Sequence, residues 1–390
     1  MSKIVFFCIP AHGHTNPTLG VVRELIARGH EVLYYSYNSF KEKIEGAGAT
    51  FISCDEFDAE QHIDPKDAKR VGSDLAFSTK LLVDTTLALD DMVCKEMERL
   101  QPDCIVADSM AVWGKAVALK LGIPFVSSTT TFAFNKHSAQ IMKQSLSQLF
   151  GMIFSMPKIN KDIKRLQDKG YPVNSVLDII QNDENTHTVV YTSPQFQPCA
   201  DTFNDKYAFV GPSIRPVTEE IVKTKEKLIY ISMGTVVNDM AGLYRKCIKA
   251  FADTDYQVIM SVGDLVDAKE LGEIPDNISV HSHVDQIAVL AKADVFLTHC
   301  GMNSVNESLY YGVPLVMYPQ TSEQGGVANR VMQVGAGVML EKTSPEAVRE
   351  AVEKVLKDNV YHDAALTISD GFKACSGAKG AADKILSVCK

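Results

Sequence analysis

The feature that most limits the fold is an alternation of short apolar runs with amphipathic helical runs, and it occurs twice along the chain. In the first half, Lys3–Ile9 reads as a strand, Thr18–Arg28 as a helix closed by Gly29, and Glu31–Tyr37 as the next strand. Helix Leu82–Leu100, strand Cys104–Ala107, helix Ala111–Leu121 and strand Phe125–Ser128 continue the order, and Val189–Thr192 and Tyr207–Val210 read as its last strands. Such units predict parallel βαβ crossovers in a doubly wound sheet. A second series begins with strand Leu228–Met233, helix Met240–Phe251 and strands Gln257–Ser261, Ile278–His281 and Val295–Thr298. Helix Ser304–Tyr311, strand Leu315–Met317 and helices over Pro345–Lys357 and Ala381–Val388 complete it.

A chain of 390 residues exceeds one comfortable hydrophobic core, whereas two domains of roughly 150–200 residues fit it. The expected boundaries are 1–212 for the first domain, 213–227 for a proline-bearing, charged linker, 228–375 for the second domain, and 376–390 for a C-terminal helix packing back toward the first. Facing doubly wound domains turn their strand C-terminal ends toward a central cleft, where such folds bind ligands. Between Phe132 and Asp178 the helical pattern is broken by Gly151, Pro157, Gly170 and Pro172. Its Met and Phe side chains suit either packing on the first domain or an adaptable lining for a bulky apolar ligand.

With 39 basic against 48 acidic side chains, the net charge of −9 argues against nucleic acid or anionic membrane as a partner. Lys3–Ile9 is too short to span a bilayer and lacks a basic leader and small-residue cleavage site, so no integral membrane association and a cytoplasmic location are expected. Nine cysteines without metal-like spacing read as reduced thiols.

Neither GxGxxG after the first strand nor GxxxxGK[ST] anywhere is present, which argues against a conventional dinucleotide enzyme or P-loop ATPase. The first strand instead opens into Pro10-Ala11-His12-Gly13-His14-Thr15-Asn16-Pro17, with Pro17 placed as a helix start. A histidine there suits either a general base or a capping or packing role. Asp108 ends the strand Cys104–Ala107 at the same sheet edge, either as a cap for the helix from Ala111 or as a carboxylate partner for that histidine. In the second half, Ser232-Met233-Gly234-Thr235 follows a strand and reads either as a structural turn or as amides and hydroxyls placed for an anion. His299-Cys300-Gly301-Met302-Asn303-Ser304 leads from strand to helix, with Gly301 permitting close approach and Asn303 and Ser304 at the helix start. Glu307, three residues after Ser304, fits either a capping box or an acceptor for ribose hydroxyls.

Together these residues resemble the bacterial macrolide-glycosyltransferase branch of the UDP-glycosyltransferase family. The resemblance rests on His299 through Ser308, Gly312-Val313-Pro314, and Pro319-Gln320-Thr321-Ser322-Glu323-Gln324. It implies a GT-B fold: two Rossmann-like doubly wound parallel-sheet α/β domains facing a cleft, with acceptor in the first and donor in the second. It further implies His14 as catalytic base and Asp108 as its orienting acid. Diphosphate contacts fall on Thr235, His299, Gly301, Asn303 and Ser304, ribose on Glu307, and sugar hydroxyls on Glu323 and Gln324. His283-Val284-Asp285-Gln286 aligns with a base-binding segment that is usually Trp-x-Pro-Gln. His283 offers a smaller stacking face than indole, while Val284 and Gln286 keep their places. The implied reaction is inverting, metal-independent transfer of a sugar, by default glucose from UDP-glucose, to a small hydrophobic hydroxylated acceptor such as a flavonoid, phenol or macrolide. No cofactor is implied beyond the donor substrate. A UDP-sugar epimerase of the same fold, a non-catalytic nucleotide-sugar-binding protein, and a transferase with a lipid or cell-wall acceptor stand as alternatives.

Overall fold

A computed structural model describes residues 1–55, 74–139, 146–234 and 240–389. Thr235 therefore lies outside the described residues, as does part of the irregular stretch between Phe132 and Asp178. The chain forms two compact units. One comprises Met1–Tyr191, Cys199–Ser213 and Ser376–Lys390, and the other Thr192–Pro198 and Ile214–Cys375.

In the first unit, β1 (Lys3–Phe7), α1 (His12–Ala27), β2 (Glu31–Ser36), α2 (Lys41–Glu45) and β3 (Thr50–Ser53) precede the long helix α3 (Leu75–Leu100). There follow β4 (Cys104–Asp108), α4 (Val112–Leu121), β5 (Phe125–Thr129), α5 (Lys136–Ala139), α6 (Leu146–Asp168), α7 (Val176–Ile180), β6 (His187–Val190) and β7 (Tyr207–Phe209). The sheet order is β3-β2-β1-β4-β5-β6-β7, with every described pairing parallel. Both faces are buried, so the strands read as continuous apolar runs. Val5, Phe7, Ile105 and Ala107 face one cluster with residues of α3 and α4, while Ile4, Phe6, Cys104 and Val106 face another with α1. At Gly114 of α4 a β-carbon would fall 2.6 Å from that of Ala107 and 2.9 Å from the Phe7 ring, so helix and sheet touch through a missing side chain. The helix α14 (Gly377–Leu386) packs Ala381, Ala382 and Ile385 into the α1 cluster.

Helix α1 starts six residues before the expected Thr18 and runs through Pro17. Proline cannot donate a hydrogen bond and crowds the carbonyl four residues back, so it marks a helix's first turn more often than its interior. Here the turn is nucleated earlier, by His14 and Thr15 amides donating to the Ala11 carbonyl at 3.0 and 2.9 Å. That places His14 in the first turn of a helix rather than in a loop.

The second unit contains β8 (Lys227–Ser232), α8 (Ala241–Phe251), β9 (Tyr256–Ser261), β10 (Ile278–His281), α9 (Gln286–Leu290), β11 (Val295–Thr298) and α10 (Met302–Tyr310). It continues with β12 (Leu315–Met317), α11 (Ser322–Gln333), β13 (Gly337–Met339), α12 (Pro345–Lys357) and α13 (Asn359–Lys373). Its sheet, β10-β9-β8-β11-β12-β13, is again parallel. The segment Thr192–Pro198, which the sequence boundaries assign to the first domain, is fastened to this unit. Arg330 donates to the Phe196 and Gln195 carbonyls at 2.9 Å each, and the Phe196 ring meets Phe372 edge-on at 5.7 Å. Among the described residues no helix is long and apolar enough to cross a membrane.

Candidate active site

Each sheet changes winding direction once: between β1 and β4 in the first unit, and between β8 and β11 in the second. At such a point neighbouring crossovers leave to opposite faces and open a crevice at the strand C-terminal ends. His14 and Asp108 lie at the first of these points, and His299 with the start of the following helix at the second.

At the first, α1 follows β1 and brings in His14, while Asp108 closes β4. His14 Nδ1 lies 2.8 Å from Asp108 Oδ2, across 94 residues of sequence. The Asp108 side chain is fully buried and the His14 side chain is one-fifth exposed. Asp108 Oδ1 accepts the Met110 amide at 2.8 Å. Its two oxygens thus divide the roles that the sequence left open, one shaping the turn and one meeting the imidazole; the N-cap of α4 is Ala111. A carboxylate only accepts hydrogen bonds, so Nδ1 carries the proton and Nε2 is the ring's basic atom. Thr130 Oγ1, just past β5, stands 3.1 Å from the same Nδ1; no local signal in the sequence marks it. His12 turns elsewhere, its ring edge-on to Phe40 at 4.9 Å and its Nδ1 3.1 Å from Lys43 Nζ. Beside the turn, Ile9, Pro10, Tyr37, Leu81, Leu82, Thr85, Met110 and Trp113 line a mostly apolar pocket.

At the second switch point His299 follows β11, and its imidazole sits between two glycines. A β-carbon on Gly234 would lie 2.5 Å from Nε2, and one on Gly301 2.7 Å from the same atom. The close approach read from Gly301 is therefore made by the chain's own histidine. Burial pulls the His299 pKa down to about 4, opposed by a hydrogen bond to the Ser232 carbonyl, so the ring is neutral at neutral pH. Cys300, buried with φ +68°, makes the bend into α10.

Gly301 is the N-cap of α10 and supplies no side-chain cap, which puts Asn303 and Ser304 inside the first turn. The Ser304–Glu307 capping box consequently does not form. Glu307 instead accepts from Gln286 Nε2 at 2.5 Å, and the same amide lies 3.3 Å from Ser304 Oγ. Tyr230 of β8 donates its hydroxyl to Gln286 Oε1 at 3.2 Å. Burial pushes the Glu307 carboxyl up to about 7, with Gln286 and the positive charge of Arg215 pulling it down. Asp285 caps α9 through the Ala288 amide at 3.1 Å. Its carboxyl is held well below the usual range because Arg215 and Thr218 outweigh the effect of burial.

His283 is exposed, its Nε2 2.9 Å from Asp264 Oδ1, and Val284 is half-buried. Glu323 and Gln324 stand in the first turn of α11, after β12, the strand beside β11. Gln324 Oε1 accepts the Gln320 amide at 2.7 Å, which holds its side chain back against the turn. Among the described residues no three His, Cys, Asp or Glu side chains gather as a metal site.

Two parallel doubly wound sheets carrying such strand-end constellations define the GT-B type of glycosyltransferase fold. Residues 215–374 match the family model described as UDP-glucoronosyl and UDP-glucosyl transferase. The chain is 34% identical over 401 residues to the NDP-glycosyltransferase YjiC of Bacillus licheniformis, covering 98% of this chain and 96% of that one. It is 31% identical to the uncharacterized UDP-glucosyltransferase YojK of Bacillus subtilis, covering 100% and 98%. The crystal structure of the glycotransferase of kitacinnamycin superposes with a TM-score of 0.85 at 27% identity, covering 100% and 99%. The chain belongs to the UDP-glucoronosyl and UDP-glucosyl transferase family and is a nucleotide-diphosphate-sugar-dependent glycosyltransferase.

Proposed function

We propose that this enzyme moves glucose from UDP-glucose, with inversion and without a metal, to a hydroxyl of a small hydrophobic acceptor such as a phenol, flavonoid or macrolide, as in the macrolide branch of the family. The observation that carries the reading is the 2.8 Å contact of His14 Nδ1 with buried Asp108 at the first switch point. Nε2 takes the acceptor's proton as the acceptor oxygen attacks the anomeric carbon; the bond from that carbon to the diphosphate breaks. Asp108 stabilises the imidazolium that forms. A small, mostly apolar pocket bordered by Ile9 and Met110 lies beside this turn.

The donor belongs to the second unit in this reading, and the family match over residues 215–374 supports it. Amides of the first turn of α10, at Asn303 and Ser304, with Thr235 and His299, receive the charge that grows on the leaving diphosphate. Neutral His299 already serves the Ser232 carbonyl with one N–H, and a diphosphate beside it would draw a second proton onto the ring. Glu307 and Gln286 take the ribose, His283 and Val284 the base, and Glu323 and Gln324 the sugar hydroxyls. Nine free thiols suit a reducing cytoplasm.

A mass-spectrometric screen of UDP-sugars against phenols and alcohols, with a chelator present and the anomeric configuration of the product assigned, tests the reading. A β-glucoside from UDP-α-glucose supports it. An epimerised donor without any glycoside would replace it by epimerisation, and donor binding without turnover would leave a nucleotide-sugar-binding protein.

A further inference from the structure

Arg215 lies in the stretch that the sequence reads as linker, yet its guanidinium grips Asp285 with a two-pronged fork. Nη1 donates to Oδ2 at 3.0 Å and Nη2 donates to Oδ1. Thr218 Oγ1 adds a donor to Oδ2 at 2.7 Å. The Asp285 side chain is only 3% exposed, so its charge depends on these partners. Oδ1 also caps α9, whose first residue is Gln286, and Gln286 in turn reaches Tyr230, Ser304 and Glu307. An unbroken path of polar contacts therefore runs from Arg215 through the start of α9 to Glu307.

In the base-binding segment that this stretch resembles, proline is usual where this chain has Asp285. A proline sets the start of a helix through its fixed φ, with no partner needed. An aspartate sets it by hydrogen bonding, and when buried it requires a counter-charge. Arg215 supplies that charge from 70 residues away. Its positive charge also favours the ionised Glu307 carboxylate, while the negative charge of Asp285 disfavours it. Among the described residues the other titratable groups facing Glu307 are Tyr230 of β8 and Tyr311 just after α10. Helix α13, packed on α10, directs Lys373 to the ring of Tyr310 instead.

We propose that Arg215 is a positioning residue of the donor site: by holding Asp285 it fixes the start of α9, and with it the Gln286–Glu307 pair that receives the ribose hydroxyls of a nucleoside diphosphate. This rests on the ribose role given to Glu307 above. Arg215 does two separable things there. Its fork orders the loop, and its charge favours the carboxylate form of Glu307, which only accepts hydrogen bonds.

Calorimetric titration of UDP into the full chain at pH 6 and pH 8.5 separates them, comparing wild type with R215M and R215K. Without the cation, Glu307 holds its proton to higher pH. R215M is expected to bind UDP more weakly than wild type at pH 6, with the deficit shrinking at pH 8.5. R215K keeps the charge but not the fork, so it is expected to show a smaller loss that is the same at both pH values. Equal UDP affinity in all three proteins overturns the proposal. So does an R215M deficit that does not change with pH and is matched by R215K, since that is the mark of a merely structural contact. If R215M melts below the assay temperature, R215K alone decides: an affinity equal to wild type overturns the role of the fork. Wild type failing to bind UDP would instead remove the ribose role of Glu307.

Discussion

The imidazole of His299 occupies the space where Gly234 would carry a side chain, a β-carbon there falling 2.5 Å from ring atoms Nε2 and Cε1. Gly301 closes the other side at 2.7 Å. Gly301 has an ordinary negative φ of −59°, so an alanine there acts only through the ring. Gly301→Ala is expected to destabilise the enzyme by about 1–3 kcal/mol, as overpacking does, and to weaken UDP binding. Adding His299→Ala makes room for the methyl group. Thermal melts of the double variant are expected to recover the stability but not the affinity. Gly234→Ala adds the strain of φ +82°, about 1–2 kcal/mol more, which the second substitution cannot relieve.

Glu307 gives a pH-dependent signature of stability. Its folded pKa of about 7 stands above the ordinary 4.5, so the folded state binds the proton more tightly than the unfolded chain. Its favourable contribution is complete below pH 4.5 and is lost as pH rises through 7. Glu307→Gln removes the buried charge. The variant is expected to match wild type in melting experiments at pH 4.5 and to exceed it by roughly 2–3 kcal/mol at pH 8.5, while binding UDP poorly at both. A variant that is equally stable relative to wild type at the two pH values would contradict the buried-carboxylate account.

Much of this architecture is legible in sequence because central strands buried on both faces, such as β1 and β11, are uninterrupted apolar runs. The edge strands β3 and β13 are not, since four and three residues at a sheet margin carry too little pattern. Helix α13 is missed for a related reason: its buried face is Ala365, Ile368, Ser369 and Phe372, only two of them large and apolar. The pairing of His14 with Asp108 is one of two readings that the sequence leaves open, since both residues lie at strand C-terminal ends of one sheet. Thr130 and Arg215 could not be anticipated. Their partners are set by the sheet order and by the path of the chain after β7, and neither residue sits in a recognisable local motif.

Gly114→Ala tests how tightly α4 lies on the first sheet. The added carbon would meet both Ala107 and Phe7 at under 3 Å, so backbone must shift. A loss of about 1–3 kcal/mol is expected in urea unfolding monitored by Trp113 fluorescence. Since Asp108 follows Ala107 directly, acceptor turnover should fall further than UDP affinity.

Asp108→Asn keeps the size of the side chain and its contact with the Met110 amide, but offers His14 Nδ1 an amide in place of a carboxylate. Loss of the fixed tautomer and of imidazolium stabilisation is expected to lower kcat by about 10²–10⁴-fold. UDP affinity in the second unit should stay near wild type by calorimetry. A parallel fall in both would mean that Asp108 supports structure alone.

The proton carried by His14 is tested most directly by the wild-type to His14→Ala ratio of kcat/KM across phenols of graded acidity. For phenols with pKa near 10 the ratio is expected to be about 10²-fold or more, shrinking steadily toward unity as the phenol becomes acidic enough to attack as phenolate unaided. A ratio that stays flat across the series, or sits near one for the weakest acid, would show that His14 takes no proton in the transfer.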